Sequence, residues 1–253
     1  MRDLTKIRLF IGIPCYSGVV DAVYCSSLLA NIRMLEKLGV HIKVHFEVGD
    51  SDISKARNKI TQLFLETDCT DMLMTDCDLG FDVDAILKIL RPEAKVCMGV
   101  YPYRDGTGNY PVQIKFDEKG RPNFKDNLIE LDRGPTGLIR IERSVIEDLI
   151  NNHPEWKTSL TTPSGNCIHA IFDSGMLRGD GKWYSEDFMF CFRWRDMGGR
   201  IWADPTITFE HIGKTAVQGM FAQFISNELD KLDAEMNARQ KQQQDAKEQP
   251  CLA

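Results

Sequence analysis

Apolar and polar positions alternate between two periods along the first hundred residues, and the switching predicts the elements. Residues 7–13 form an apolar run ending at Pro14 that reads as a first strand, with Cys15-Tyr16-Ser17-Gly18 turning the chain out of it. Val20, Val23, Leu28, Ile32, Leu35 and Leu38 then recur at near-helical spacing, and Gly39 supplies a C-terminal cap. Ile42, Val44, Phe46 and Val48 alternate with His41, Lys43, His45 and Glu47 as in a half-exposed strand, so both histidines fall on the polar face and need no metal. Turn residues 49–52 lead into a second helix, whose apolar stripe is Ile53, Ala56, Ile60, Leu63 and Phe64.

The run that begins at Met72 is uninterrupted until Asp76-Cys77-Asp78, with Gly80 close behind. Such a run predicts a strand buried on both faces, with its carboxylates emerging at the C-terminal end, where open parallel sheets bind ligands. Two carboxylates there make a hard oxygen site for a divalent cation that carries phosphates as its other ligands, and Gly80 lets the backbone turn away. Asp82 and Asp84 read as N-capping residues of the next helix. Arg57 and Asn58 fall in early turns of the preceding helix. The Arg57 guanidinium is placed either for a phosphate or nucleobase carbonyl or for a surface ion pair.

A short helix over 83–90, stopped by Pro92, and a strand over 96–100 complete an alternation of strands and helices that predicts an α/β fold. Its sheet is mainly parallel, with helices on both faces, and residues 1–100 form a nucleotide-binding half. Beyond it, segments 112–116 and 123–124 flank the turn Asp117-Glu118-Lys119-Gly120 and predict an antiparallel margin. Gly134-Pro135-Thr136-Gly137 precedes a strand over 138–141 and a helix over 144–150, its glycines allowing close backbone approach. Residues 154–182 read as a long polar loop, containing His169, Asp173 and Arg178 with no assigned role. Ser185 then caps a helix to Met197, placing Glu186 and Asp187 in its first turn, where the dipole favours ionised carboxylates. Two short strands, 200–203 and 207–213, follow, with His211 at the end of the second. Val217, Met220, Phe221, Phe224, Ile225, Leu229, Leu232 and Met236 trace one helical face that packs on the domain or on a second subunit as a homo-oligomer contact. Residues 240–253 are expected to be disordered.

Composition narrows the class. With 253 residues, 43% hydrophobic and 27% charged, the chain suits one globular domain with extensions. A net charge of -6 gives no electrostatic reason to expect a nucleic-acid partner. Eight cysteines without a C-x-x-C pair fit free thiols in a reduced, cytoplasmic setting. The uncharged stretch 9–20 is too short for a transmembrane segment.

Together these features resemble a GT-A (Rossmann-like) glycosyltransferase, of the small bacterial, phage and viral type, over residues 7–213. The matching residues, in order, are Arg57-Asn58, the DxD of Asp76-Cys77-Asp78, Gly134-Pro135-Thr136-Gly137 before the acceptor-side strand, Ser185-Glu186-Asp187, and His211. The resemblance implies a GT-A domain over 1–214, with 101–214 as its acceptor half, followed by an amphipathic helix over 215–239. It implies a nucleotide diphosphate sugar donor, UDP-linked, and a glycan or other hydroxyl acceptor, with hexosyl transfer as the reaction. Asp76, Asp78 and His211 would hold Mn²⁺ or Mg²⁺, while Pro14, Tyr16, Arg57, Asp76 and Asp78 would bind the donor. Asp187 would be the general base of an inverting displacement, and Glu186 would orient the acceptor. Two other classes share some of these features. A haloacid-dehalogenase-like phosphatase also sets two aspartates at a strand end, although normally on its first strand, and a non-catalytic nucleotide-sugar or glycan-binding module would keep the fold.

Overall fold

The computed structural model describes residues 1–176, 178–213 and 217–248. Strands β1 (Arg8–Cys15), β2 (His41–Val48), β3 (Asp71–Thr75) and β4 (Leu79–Phe81) alternate with helices α1 (Ala22–Lys37) and α2 (Ile53–Leu65). Then come α3 (Ala85–Leu90), β5 (Val96–Met98), β6 (Gln113–Ile114), β7 (Phe124–Lys125), β8 (Leu128–Arg133), β9 (Leu138–Glu142) and α4 (Arg143–Asn152). The hairpin β10 (Lys157–Thr161) and β11 (Cys167–His169) precedes α5 (Glu186–Asp196), β12 (Ile201–Ala203), β13 (Thr208–His211), β14 (Val217–Met220) and α6 (Phe221–Glu248).

The main sheet runs β2-β1-β3-β9-β5-β12-β8-β6, with β7 also paired to β8. β1 pairs in parallel with both β2 and β3, and β5 with β12. β9 enters between β3 and β5 antiparallel to both, so the mixed character reaches the centre of the sheet as well as its β8 margin. The fold is α/β and Rossmann-like, with helices on both faces and a C-terminal helix. Alternate residues of each central strand feed two different cores. Phe10, Met72 and Met74 face α2, α4, α5 and the start of α6. Leu9, Ile11 and Leu73 face α1 and α3. That double burial is why these strands read as unbroken apolar runs.

Three expectations are revised and one is extended. As expected, the buried strand β3 ends at Thr75 with Asp76 and Asp78 just beyond it; the chain then enters β4, a strand not expected from sequence, which belongs to a second sheet with β13 and β14. A Cβ on Gly80 would overlap Val23 of α1, so Gly80 serves the close packing of α1 on β4 rather than a change of backbone direction. The polar stretch 154–182 contains the β10–β11 hairpin. The C-terminal helix starts at Phe221, not Val217, because Val217–Met220 pair with β13, and α6 continues to Glu248. The expected disordered stretch thus overlaps the end of this helix, and its residues 249–253 lie outside the described residues. Among the described residues, no helix is long and apolar enough to cross a membrane, and the cysteines are free.

Candidate active site

The C-terminal ends of β1 and β3 open into a cleft of about 600 Å³, lined by Pro14, Tyr16, Arg57, Asp76, Asp78, Tyr101, Arg104, Glu186 and Asp187 among others. The chain between β3 and β4 is fastened by its own backbone. Asp76 N–H bonds the Gly137 carbonyl (2.9 Å), the Cys77 carbonyl accepts from Asp21 N–H (3.0 Å), and the Asp78 carbonyl accepts from Ile212 N–H (2.9 Å). The turn is therefore held through its backbone by the segments at the start of α1, before β9 and after β13, and the side chains of Asp76 and Asp78 line the cleft. Burial, with Cys15 and Asp78 beside it, pushes the Cys77 thiol up to about 12, so it stays protonated and acts as a spacer.

Asp76 is held in place from two sides. Arg57 Nη2 donates to Asp76 Oδ1 (2.9 Å) and Tyr101 Oη donates to Oδ2 (3.4 Å). Burial and the charge of Asp76 keep the Tyr101 phenol well above its ordinary pKa, and it accepts from Gly137 N–H (3.1 Å). A Cβ at Gly137 would overlap both the Tyr101 hydroxyl and the Asp76 carboxylate, so the close approach expected of this glycine is made to the Asp76 site itself. Arg57 is buried, with its Nε on Glu186 Oε1 (3.2 Å) and its Nη1 on the Thr136 carbonyl (3.5 Å). Burial opposes its charge, but Asp76 and Glu186 hold the guanidinium above its usual pKa. Arg57 is thus an internal brace joining the β3 end to α5 rather than a surface ion pair. Its Nε and one Nη2 proton, and the Oε1 of Glu186, are engaged inside the protein.

Asp78 is different. Its Oδ1 is buried without a hydrogen-bond partner among the described residues, and it lies 3.9 Å from His211 Nε2. Burial and the neighbouring Asp76 raise its pKa, against the pull of Arg104 and His211. His211 Nδ1 must carry its proton, because it donates to the Pro102 carbonyl (2.8 Å). Nε2 is left with a lone pair, which accepts from Arg104 Nε (2.7 Å). The three expected metal ligands do not converge: Asp76 turns to Arg57 and Tyr101, and among the described residues no group of three His, Cys, Asp or Glu side chains forms a metal site. A two-residue set of Asp78 oxygen and His211 nitrogen does fit a cation that takes its remaining ligands from phosphate and water.

Asp187 stands at the start of α5. Ser185 occupies the N-cap position, but its hydroxyl bonds Asp187 Oδ1 instead of capping the helix. Phe188 N–H donates to the same oxygen (2.8 Å), which leaves Oδ2 without a protein partner among the described residues. Burial, then the charge of Glu186, raises the Asp187 pKa. A carboxylate so raised is a stronger base than an exposed one. Tyr101 and Arg104 were not singled out from sequence, although their loop follows a buried strand at the same sheet edge.

No protein-family model matches the chain, and no curated protein is significantly similar in sequence. Among solved structures, the inositol-1-phosphate CTP transferase from T. maritima superposes with a TM-score of 0.40 at 12% identity, covering 81% of this chain and 89% of that one. A glycosyltransferase involved in the glycosylation of the major capsid of PBCV-1 superposes with a TM-score of 0.31 at 12% identity, covering 60% of this chain and 71% of that one. Superpositions this loose carry no argument about chemistry.

Proposed function

We propose that this protein is a metal-dependent glycosyltransferase that moves a sugar from a UDP-linked nucleotide diphosphate sugar to an acceptor hydroxyl with inversion. The observation that carries this reading is the division of one cleft into two half-satisfied carboxylates. Asp78 presents an oxygen without a partner among the described residues beside His211 Nε2, whose only engagement there is with the half-exposed Arg104, and Asp187 presents an oxygen likewise unpartnered at the helix start. The first pair suits a divalent cation and the diphosphate it accompanies, and the second suits a proton acceptor. Pro14 and the exposed Tyr16 form the wall available to the nucleobase. Asp76, fixed by Arg57 and Tyr101, is positioned for the donor ribose.

Chemically, Asp187 Oδ2 takes the proton of the acceptor hydroxyl as that oxygen bonds to the anomeric carbon and the bond to the diphosphate breaks. The metal, when bound by Asp78 and His211, supplies neutralisation of the leaving diphosphate. The Arg57 brace keeps the two halves of the cleft in register, since one guanidinium holds both Asp76 and Glu186, the residue before the base.

Thermal unfolding of the purified protein with a panel of nucleotide diphosphate sugars and Mn²⁺ tests the reading. A true donor at 100 times its Kd stabilises by about 2.7 kcal/mol. We expect one nucleotide class to raise Tm in an Mn²⁺-dependent way, and Asp78→Ala to abolish the shift. A panel with no Mn²⁺-dependent shift, or a shift that survives Asp78→Ala, overturns the proposal.

A further inference from the structure

We infer that Arg104 is a tethered cation seated between Asp78 and His211, and that a divalent ion takes this seat only when the guanidinium leaves it. The inference rests on the metal reading above and concerns what controls that site. Arg104 Nη2 bonds Asp78 Oδ2, and Arg104 Nε donates to His211 Nε2 at 2.7 Å. One planar guanidinium therefore engages the two side chains assigned to the metal.

The exclusion follows from the imidazole. His211 Nδ1 is committed as a donor to the Pro102 carbonyl, so Nε2 has a single lone pair. That lone pair either accepts the Arg104 proton or ligates a metal, and it cannot do both. Charge adds to the conflict, since an ion bound to Asp78 and His211 would sit against a positive guanidinium.

The arginine is also an incomplete occupant. It satisfies Asp78 Oδ2 but leaves the buried Oδ1 without a partner, an oxygen that a metal could take. Leaving is easy for this side chain. Arg104 is half exposed (51%), whereas the side chain of Arg57 is 4% exposed and bridged on several sides. Arg104 sits just inside a loop closed by Tyr103 N–H on the Asn109 carbonyl (2.8 Å), so side-chain rotation alone frees the seat. If the guanidinium holds it about nine-tenths of the time, the apparent metal affinity is about ten-fold weaker than the intrinsic one.

Mn²⁺ titration of the full chain without nucleotide, read by electron paramagnetic resonance of the free ion, tests this. Circular dichroism establishes that each variant is folded. Arg104→Ala is expected to bind Mn²⁺ about ten-fold more tightly than the natural protein, equivalent to about 1.4 kcal/mol. Asp78→Ala, alone or combined with Arg104→Ala, is expected to lose the site. A merely structural role for Arg104 would weaken Mn²⁺ binding on its removal. Unchanged or weaker binding in Arg104→Ala, with Asp78→Ala still abolishing it, overturns the gate and leaves the metal reading standing. No saturable Mn²⁺ binding in either protein, with or without a nucleoside diphosphate, overturns both.

Discussion

Aspartates stand at both ends of β3, Asp71 as its first residue and the half-buried Asp78 just past its last, and the fold treats them in opposite ways. At the N-terminal end, Asp71 is fully buried, and its two oxygens accept from Arg2 Nη1 (2.6 Å) and Nη2 (2.8 Å). Thr70 Oγ1 adds a bond at 2.8 Å, and the fully buried Arg140 lies 3.6 Å away. Arg140 spends its other donors on the carbonyls of Ile89, Pro92 and Lys95. At the C-terminal end, Asp78 keeps one buried oxygen unpartnered and leans on a half-exposed arginine. A buried charge whose bonds close within the chain is part of the scaffold. One left open is arranged for something the chain does not itself provide.

The sharpest way to break this contrast is to remove charge on each side and read different quantities. On the open side, Asp187→Asn should lower the transfer rate by about 10²–10⁴-fold, the usual contribution of a general base. Metal-dependent donor binding by calorimetry should stay unchanged, and survival of transfer in this variant would falsify the assignment of the base. On the closed side, Asp71→Asn should cost about 3–5 kcal/mol in urea unfolding, because Arg140 is left buried without its counter-charge. Asp78→Asn should change stability by no more than about 1 kcal/mol, since burial and Asp76 already disfavour its charge and its arginine partner is exposed. Equal costs at the two ends would erase the distinction.

The smallest effect sharpens the electrostatics of the base. Asp187 is raised by burial and by Glu186, so its basic form is lost as pH falls through a pKa above the ordinary carboxylate range. The acid limb of the transfer rate should lie there. Glu186→Gln removes the neighbouring negative charge and frees Arg57 to favour the ionised form, so the limb should move to lower pH. A limb that stays in place or moves upward in the pH–rate profile would show that another group sets it.

Local chemistry made several of these elements readable. The run to Met74 predicted β3 because both of its faces are buried, and Gly39 predicted the end of α1, where its φ is +85°. Elsewhere the local signal was incomplete: the hairpin expected around residues 117–120 forms, with Phe116 bridged antiparallel to Pro122. The turn at Asp117-Glu118-Lys119-Gly120 exists, closed by Gly120 N–H on the Asp117 carbonyl at 3.0 Å. The tighter hairpin lies between β7 and β8, at Asp126 and Asn127, whose φ values of 52° and 65° are those of a two-residue turn. Asp-Asn is a weaker signal than a glycine, and β8 went unread. β14 was read as helix because its apolar residues fit a helical face, whereas pairing with β13 decided the matter.

By itself the sequence determined the strand and helix periods, the placing of Asp76 and Asp78 at a strand end, and the placing of Asp187 in the first turn of a helix, since each depends on neighbours a few residues away. Tertiary structure alone decided which charges meet. The Arg57–Glu186 bond joins residues 129 positions apart, and the Arg104–His211 bond joins residues 107 apart. Neither can be read from periodicity, because such pairs are brought together by the order of strands in the sheet. That order turned Arg57 into a brace and set Arg104 against His211 at the mouth of the Asp78 site.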